Sequence, residues 1–408
     1  MNVAVDTSIS TRCCIAGGGP AGIMLGFLLA RAGIPVVVLE KWRDFFRDFR
    51  GDTIHPSTME VLRELDLLDD FLALPHNETR QIAGYFGTES AIVGDFTHLP
   101  VACPFIALIP QWDFLNFIVE KAKAYPNFHL RMETAATDLI VEDGVVKGVR
   151  ATAPTGEVDI RADLVIGADG RHSTVRDKAG LLLTDLGAPI DVLWFRLSRE
   201  KAPNEQSFGY VNGDKFLVLI NRDSYWQCAY LIAKGAFENI KTRGLDAFRA
   251  DVARTAPVLA HVTSEIKDWE DVKLLSVAVN HLRQWYRPGL LCIGDAAHAM
   301  SPVGGVGINL AIQDAVAAAN ILIPVFRKGA PQVDDLARVQ ARRASPALRT
   351  QKLQVFIHTR LMRPVLSGRY QVRGLPWFVR LSKWLPFMRR IPARVIGMGF
   401  RPEHVEKT

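Results

Sequence analysis

Three glycines and a glutamate carry the first chemistry legible in this chain. Gly17, Gly19 and Gly22 fall in GGGPAG with the G-x-G-x-x-G spacing, and Glu40 follows Gly22 by 18 residues. At that spacing Gly17 permits a tight turn, Gly19 lets an anion approach bare backbone, and Gly22 lets a helix pack close to a sheet. Pro20 and Ala21 open the helix, whose N-terminal N–H groups are offered to a pyrophosphate; the glutamate falls where a nucleotide ribose lies. A second glycine-rich stretch, GLLCIGDAAHAMSPVGGVGINLAIQDA, fills residues 289–315. It repeats the order of hydrophobic strand, Gly294-Asp295, glycine turn and helix.

Regular elements have to place these groups. RCCIAGGG (12–19) reads as a buried strand entering a turn, the following helix closes at Gly33, and IPVVVLEK is a second strand ending at Glu40. Strand, glycine turn, helix, strand and acid together indicate a bound dinucleotide, without separating FAD from NAD. RADLVIGADGRHSTVRDKAG (161–180) is a strand followed by Ala168-Asp169-Gly170, with a helix starting at Ser173. Gln111 stands just before an amphipathic helix in ALIPQWDFLNFIVEKAKA, and RDFRGDTIHPSTMEVLRELDLL sets Arg50-Gly51 at a turn. Thr58 is the expected N-cap of the helix after that turn.

Taken in order, strand–GGGPAG–helix, Glu40, Arg50-Gly51, Gln111, GADG and GDAAHAMSPVGGVGINLAIQDA resemble the group A flavin monooxygenases, which include the para-hydroxybenzoate and ubiquinone-pathway hydroxylases. The resemblance covers roughly residues 12–325 and leaves the substrate open. It implies an α/β fold: a Rossmann-like FAD-binding domain of the GR2 type from residues 1–75, 99–184 and 280–330. An inserted, mainly antiparallel β-sheet substrate domain comes from 76–98 and 185–279, and a basic C-terminal helical region from 331–408. One extended FAD would then be held by both glycine turns. The first takes the ADP pyrophosphate, Asp295 bonds a ribityl hydroxyl, and Gly304, Gly305, Gly307 and Asn309 bring backbone to the flavin's pyrimidine edge. Arg50 and Gln111 fall to the cofactor, and Asp169 to FAD and reductant handling.

The reaction implied has three steps: hydride transfer from NADH or NADPH, O2 addition at flavin C4a to give a hydroperoxide, and delivery of one oxygen to an aromatic or quinone-like substrate. No second complete glycine fingerprint with its own acid exists for a nicotinamide, which fits a reductant that visits without a domain of its own. Other readings keep the fold and change the chemistry, to a flavin reductase or a halogenase. A binding protein that senses redox state through FAD while docked on a membrane is a third class. No W-x-W-x-I-P segment is present to favour halogenation.

The insertion has its own texture. DVLWFRL, SFGYVNG, DKFLVLINR and YWQCAYLIAKG are aromatic and β-branched runs, with Asn212-Gly213 and Asp223-Ser224 marking hairpin turns. Tyr210, Asn221 and Tyr230 are the substrate-lining candidates there. Electrophilic hydroxylation of a phenol needs a base or proton relay. His55 is the candidate for it, with Pro302 of the second glycine turn as a further catalytic candidate; His298, in GDAAH, reads as architectural.

Composition bounds the rest. With 408 residues, 49% of them hydrophobic and 23% charged, the chain is an ordinary folded protein of two or three domain-sized units. Five cysteines without metal-type spacing sit mostly in apolar runs, as in a reducing compartment, so the expected location is cytoplasmic. No run of about 18 uninterrupted apolar residues calls for a membrane span. Residues 1–335 hold 33 basic and 41 acidic side chains, whereas 336–402 hold 15 basic and none acidic. That tail is either a helical layer complementing an acidic surface or an interfacial element resting on the inner face of a membrane. Nucleic acid is not an expected partner, and the oligomeric state is not encoded in any motif.

Overall fold

The structure is a computed structural model that describes residues 8–46, 51–199, 208–222 and 224–406. Five parallel strands form its centre. In chain order they are Ser8–Ala16, Val36–Leu39, Phe128–Arg131, Gly156–Gly167 and Leu290–Cys292, and in space they lie 3-2-1-4-5. The helices Pro20–Arg31, Gln111–Ala122 and Gly307–Phe326 cover one face, over Cys13, Ile15, Val36, Val38, Leu164 and Ile166. The strands Ala135–Glu142 and Val145–Ala153 with the short helix Thr174–Lys178 cover the other, over Cys14, Ala16, Val37, Leu39 and Val165, so both sets are buried. This is why those strands read as unbroken apolar runs without alternation. Ligands of open parallel sheets bind beyond the carboxyl ends of the strands where the order reverses, here between the first and fourth strands.

The first helix, Pro20–Arg31, and the helix Gly307–Phe326 pack on this sheet. The second is long and apolar enough by composition to cross a membrane, but 89% of its apolar window lies inside the protein, shielding Gln313 and Asp314. All five cysteines are buried and free.

A seven-stranded sheet draws strands from 81–95 and 190–276, in the order Lys273–Ser276, Ile190–Ser198, Tyr225–Ala233, Lys215–Asn221, Phe208–Asn212, Gln81–Phe86, Glu89–Asp95. Every pairing is antiparallel except Phe208–Asn212 with Gln81–Phe86. The Asn212-Gly213 hairpin forms; Asp223 lies outside the described residues. Strand alternation splits the sheet into two apolar faces. Leu193, Phe195, Leu217, Leu219, Cys228 and Tyr230 pack on Phe248 of the helix Leu245–Thr255. Val192, Trp194, Val218, Ala229 and Leu231 form the opposite face, which meets Val303 of the second glycine turn.

Beyond the parallel-sheet core, the helix Val333–Ile357 continues through a π-type turn at His358–Met362. The helices Trp377–Trp384 and Arg390–Met398 then pack near the strand Glu89–Asp95, where Leu375 and Val379 meet Ala91 and Ala393 meets Phe96. The expected α/β architecture, with an inserted sheet and helical C-terminal layer, is the one observed. One N-cap differs: the second helix starts at Pro56 with His55 as N-cap, three residues before Thr58. Thr58 Oγ1 has a different partner, donating to Asn309 Oδ1 at 2.8 Å.

Candidate functional site

The carboxyl ends of the parallel strands are stitched level. Gly17 N–H donates to Leu39 O at 2.9 Å, Ala168 N–H to Ala16 O at 2.8 Å, and Ile293 N–H to Gly167 O at 3.0 Å. Three glycine-bearing turns thus leave the sheet at one rim. The first two are in contact, since a Cβ on Gly17 would lie 2.3 Å from Ala168 O. A Cβ on Gly294 would sit 3.2 Å from Ala21 Cβ and 3.4 Å from Ala311 Cβ. Segments 273 residues apart (Ala21 and Gly294) therefore share one crevice.

The glycines divide into two kinds. Gly17 and Gly22 serve packing, for a Cβ on Gly22 would fall 1.9 Å from Gly17 O. Gly19 and Gly307 face space: a Cβ on Gly19 meets only Ala168 O at 4.0 Å, and one on Gly307 meets nothing within 4 Å. Both stand at the N-termini of buried helices whose N-caps supply no side-chain hydrogen bond. Unpaired N–H groups at a partly positive helix end, with bare backbone in front, suit a phosphate or an electron-rich ring edge. This is the arrangement that FAD requires, so the residues present fit that cofactor.

Glu40 follows the second parallel strand and is buried; its Oε2 accepts from Gly18 N–H at 3.2 Å and its Oε1 from Trp42 N–H at 3.1 Å. A cleft of about 640 Å³, lined by Trp42, Arg43, Phe46 and Glu133, opens beside it. Asp169 holds its own turn, accepting from Ser173 Oγ and, at 3.1 Å, from Val175 N–H, and burial raises its pKa. Asp295 is half-buried in the single turn Gly294–Ala296. Arg50 lies outside the described residues. Its neighbour Gly51 packs against Ile308 and faces Gln111 Oε1, and Gln111 begins the helix Gln111–Ala122.

Asn309 is a staple. Its Oδ1 accepts from His55 N–H and Thr58 Oγ1, both at 2.8 Å, and its Nδ2 donates to Thr53 O at 3.1 Å and Gly305 O at 3.3 Å. Every side-chain valence is used, so what it has for a ligand is backbone. Pro302 opens a turn closed by Gly305 N–H to Pro302 O at 3.0 Å. His55 is fully buried with Nδ1 bonded to Ile396 O at 2.8 Å, and burial pushes its pKa down to about 4. With Nδ1 committed to backbone and so low a pKa, the ring is poorly matched to proton abstraction near neutral pH, which weighs against the expectation of His55 as the base. His298 Nε2 meets Asp314 Oδ2 at 2.5 Å inside the core, an architectural contact.

The substrate-lining expectation fails on strand parity. Tyr230 is 3% exposed beneath Phe248, Tyr210 stacks on Tyr85 beside the same cluster, and Asn221 shares the parity of Leu217 and Leu219. All three lie on the face turned away from the second glycine turn. The facing side carries Val218, Ile220, Ala229 and Leu231, interrupted by a buried ion pair between Arg222 and Asp52. Gln227 Oε1 accepts from Arg222 Nε at 3.3 Å. Burial raises the Asp52 pKa, only partly offset by Arg222, Gln227 and the Gln111 N–H.

Sequence reading also missed what holds the second turn from behind. Gln354 Nε2 donates to Ser301 O at 3.0 Å and Val303 O at 2.9 Å while its Oε1 accepts from Ser301 N–H at 3.1 Å. Gln351 Nε2 donates to Asn280 O and Ala299 O, and His358 Nε2 meets Ser301 Oγ at 2.9 Å. The spacing 351, 354, 358 was the available signal: uncharged polar residues on one face of a basic helix. Arg176, buried, ties the GADG helix to Ala296 O at 3.4 Å.

Residues 10–350 match the family described as FAD binding domain. A 6-methylpretetramide 4-monooxygenase from Streptomyces rimosus is 32% identical over 387 residues, covering 94% of this chain and 92% of the relative. The 3-demethoxyubiquinol 3-hydroxylase of Escherichia coli is 26% identical, covering 78% of this chain and 81% of that protein. Among solved structures, p-nitrophenol 4-monooxygenase PnpA from Pseudomonas putida superposes with a TM-score of 0.75 at 22% identity, covering 97% of this chain and 99% of its own.

Proposed function

The chain belongs to the FAD-binding-domain family of group A flavoprotein monooxygenases, and from that premise we propose that it hydroxylates an aromatic or quinone-like small molecule, with NADH or NADPH as reductant and O2 as cosubstrate. The observation that carries the reading is the contact between Ala21 and Gly294, which lets one extended dinucleotide reach both glycine turns. Gly19, Pro20, Ala21 and Glu40 would hold its ADP half, with Gly17 and Gly22 packing the turn behind it. Asp295 and the backbone of Gly305, Gly307 and Asn309 would hold its flavin half, with Gln111 and Arg50 on the flank; Asp169 keeps the neighbouring turn in shape. When bound, FAD supplies the acceptance of hydride and the activation of O2.

The chain's own residues do the rest. Val218, Ile220, Ala229 and Leu231 present an apolar wall toward the second glycine turn, suited to stacking a ring and excluding water. Asp52, Arg222 and Gln227 give that wall one polar point, suited to orienting a phenolic or carbonyl oxygen. The partly positive N-terminus of the helix Gly307–Phe326 favours negative charge at the electron-rich edge of the cofactor.

The relative matched over nearly its full length makes 6-methylpretetramide the first compound to try, followed by a panel of phenols and quinones. Purified protein should be yellow, release FAD on denaturation, oxidise NADH or NADPH faster with its substrate, and place one atom of labelled O2 in the product. Colourless protein that takes up no FAD, or a product without label, would overturn the reading.

A further inference from the structure

The C-terminal layer presents to solvent what an ordinary surface hides. The helix Trp377–Trp384 buries Val379 and Ser382 toward the strand Glu89–Asp95, where Val379 joins Leu375 and Ala91. Its outer side carries Trp377, Leu381 and Trp384, spaced i, i+4 and i+7 along one stripe and 77%, 39% and 82% exposed. The stripe continues in the next two elements through exposed Leu385, Phe387 and Ile391, while Ala393 and Gly397 of the last helix face inward onto Phe96 and Leu99. Exposed Arg380, Lys383, Arg390 and Arg394 alternate with these apolar groups, and residues 336–402 contain no carboxylate. Soluble monomers rarely string so many large apolar side chains along consecutive exposed elements.

We infer that this face is a docking surface for an anionic lipid bilayer. Tryptophans suit the headgroup level, leucine, isoleucine and phenylalanine the acyl boundary just below it, and the four cations the lipid phosphates. Charge decides between occupants. A second copy of the chain meeting this face on itself would set Lys383, Arg390 and Arg394 against their own copies, with Glu89 as the neighbouring carboxylate and already engaged by Arg380 at 3.5 Å. Nucleic acid would satisfy the cations but gain nothing from Leu381, Leu385 and Ile391. The inference stands apart from the proposed reaction, since its readout is partition to vesicles.

The test floats full-length protein with phosphatidylcholine vesicles, with and without phosphatidylglycerol, at low and high salt, and follows tryptophan quenching by brominated acyl chains. Binding is expected with phosphatidylglycerol only, weakening as salt rises, with bromine quenching the tryptophans. Two variants, Trp384→Ser/Phe387→Ser and Lys383→Glu/Arg390→Glu, should each lower partition by about tenfold or more while keeping the wild-type melting temperature and FAD content. No partition to anionic vesicles at low salt overturns the inference, as does partition that neither variant changes. Self-association lost in Trp384→Ser/Phe387→Ser would make the face a contact between copies. Duplex DNA displacing the vesicles would make it a nucleic-acid surface.

Discussion

At the scale of single residues, the two classes of glycine give opposite expectations for the same substitution. Gly22→Ala drives a methyl group to 1.9 Å from Gly17 O, a backbone atom that cannot swing aside, and should leave little folded protein by circular dichroism. Gly307→Ala meets nothing within 4 Å, so it should melt within a degree or two of the parent while binding FAD at least tenfold more weakly by fluorescence titration. Unchanged FAD affinity in Gly307→Ala would place the cofactor elsewhere. The buried histidines make a prediction of a different kind. Burial holds both His55 and His358 near pKa 4, against about 6.5 in an unfolded chain. Between those values the unfolded chain binds protons that the folded chain refuses, so stability is complete above about pH 6.5 and declines as pH falls toward 4. Each histidine contributes at most about 3 kcal/mol to that decline. Urea midpoints measured from pH 7.5 down to 4.5 should fall accordingly, and His358→Leu should flatten the slope while lowering stability overall.

Among elements, the long helix Val333–Ile357 matters to the site through side chains that touch no ligand. Gln354 satisfies three backbone groups of residues 301–303, and its loss leaves them buried without partners, at about 1–3 kcal/mol. Gln354→Leu should therefore weaken FAD binding by loosening the turn, with the released flavin unchanged and the variant still folded by circular dichroism. Gln354→Glu, which keeps the acceptor but loses the amide donor, should not restore affinity. The same helix shows where sequence reading stops. The first strand, glycine turn, helix and second strand were legible because they are local: elements within some thirty residues dictate one another. Tyr210 and Tyr230 were misassigned because alternation tells which residues share a face, not which face meets the cofactor. That choice is made by Phe248 and Val303, which lie on separate elements remote in sequence. Arg222 with Asp52, and Gln354 with Ser301, were invisible for the same reason.

For the whole molecule, the tail is joined to the second glycine turn by buried charge. Arg343 is fully buried, with its Nε on Asp314 Oδ1 at 2.8 Å and a terminal guanidinium nitrogen on Glu403 Oε1 at 3.3 Å; Arg342 adds a contact to Glu403 at 2.6 Å. The other Asp314 oxygen accepts from Gly294 N–H at 3.0 Å and meets His298 at 2.5 Å. Burial pushes the Asp314 carboxyl up, but His298 and Arg343 together hold it below the usual range, so it stays ionised. The final residues are fastened alongside: Val405 N–H donates to Glu64 Oε2 at 2.7 Å, and Asn320 Nδ2 to His404 O at 2.8 Å. Nothing in the resemblance, which ends near residue 325, anticipates this clasp, yet it supports the backbone on which Asp295 is mounted. Glu403→Ala leaves Arg343 with Asp314 and Arg401 O but takes away one buried charge-assisted partner, so it should lower unfolding stability by about 1–3 kcal/mol, more than loss of an exposed ion pair such as Arg161–Glu142. It should also speed FAD release, because Arg343, left with Asp314 as its carboxylate partner, shifts the group that fixes Gly294. Chemical denaturation together with flavin release in stopped flow checks both. A large loss of stability with unchanged FAD release would show that the clasp closes the fold without reaching the second glycine turn.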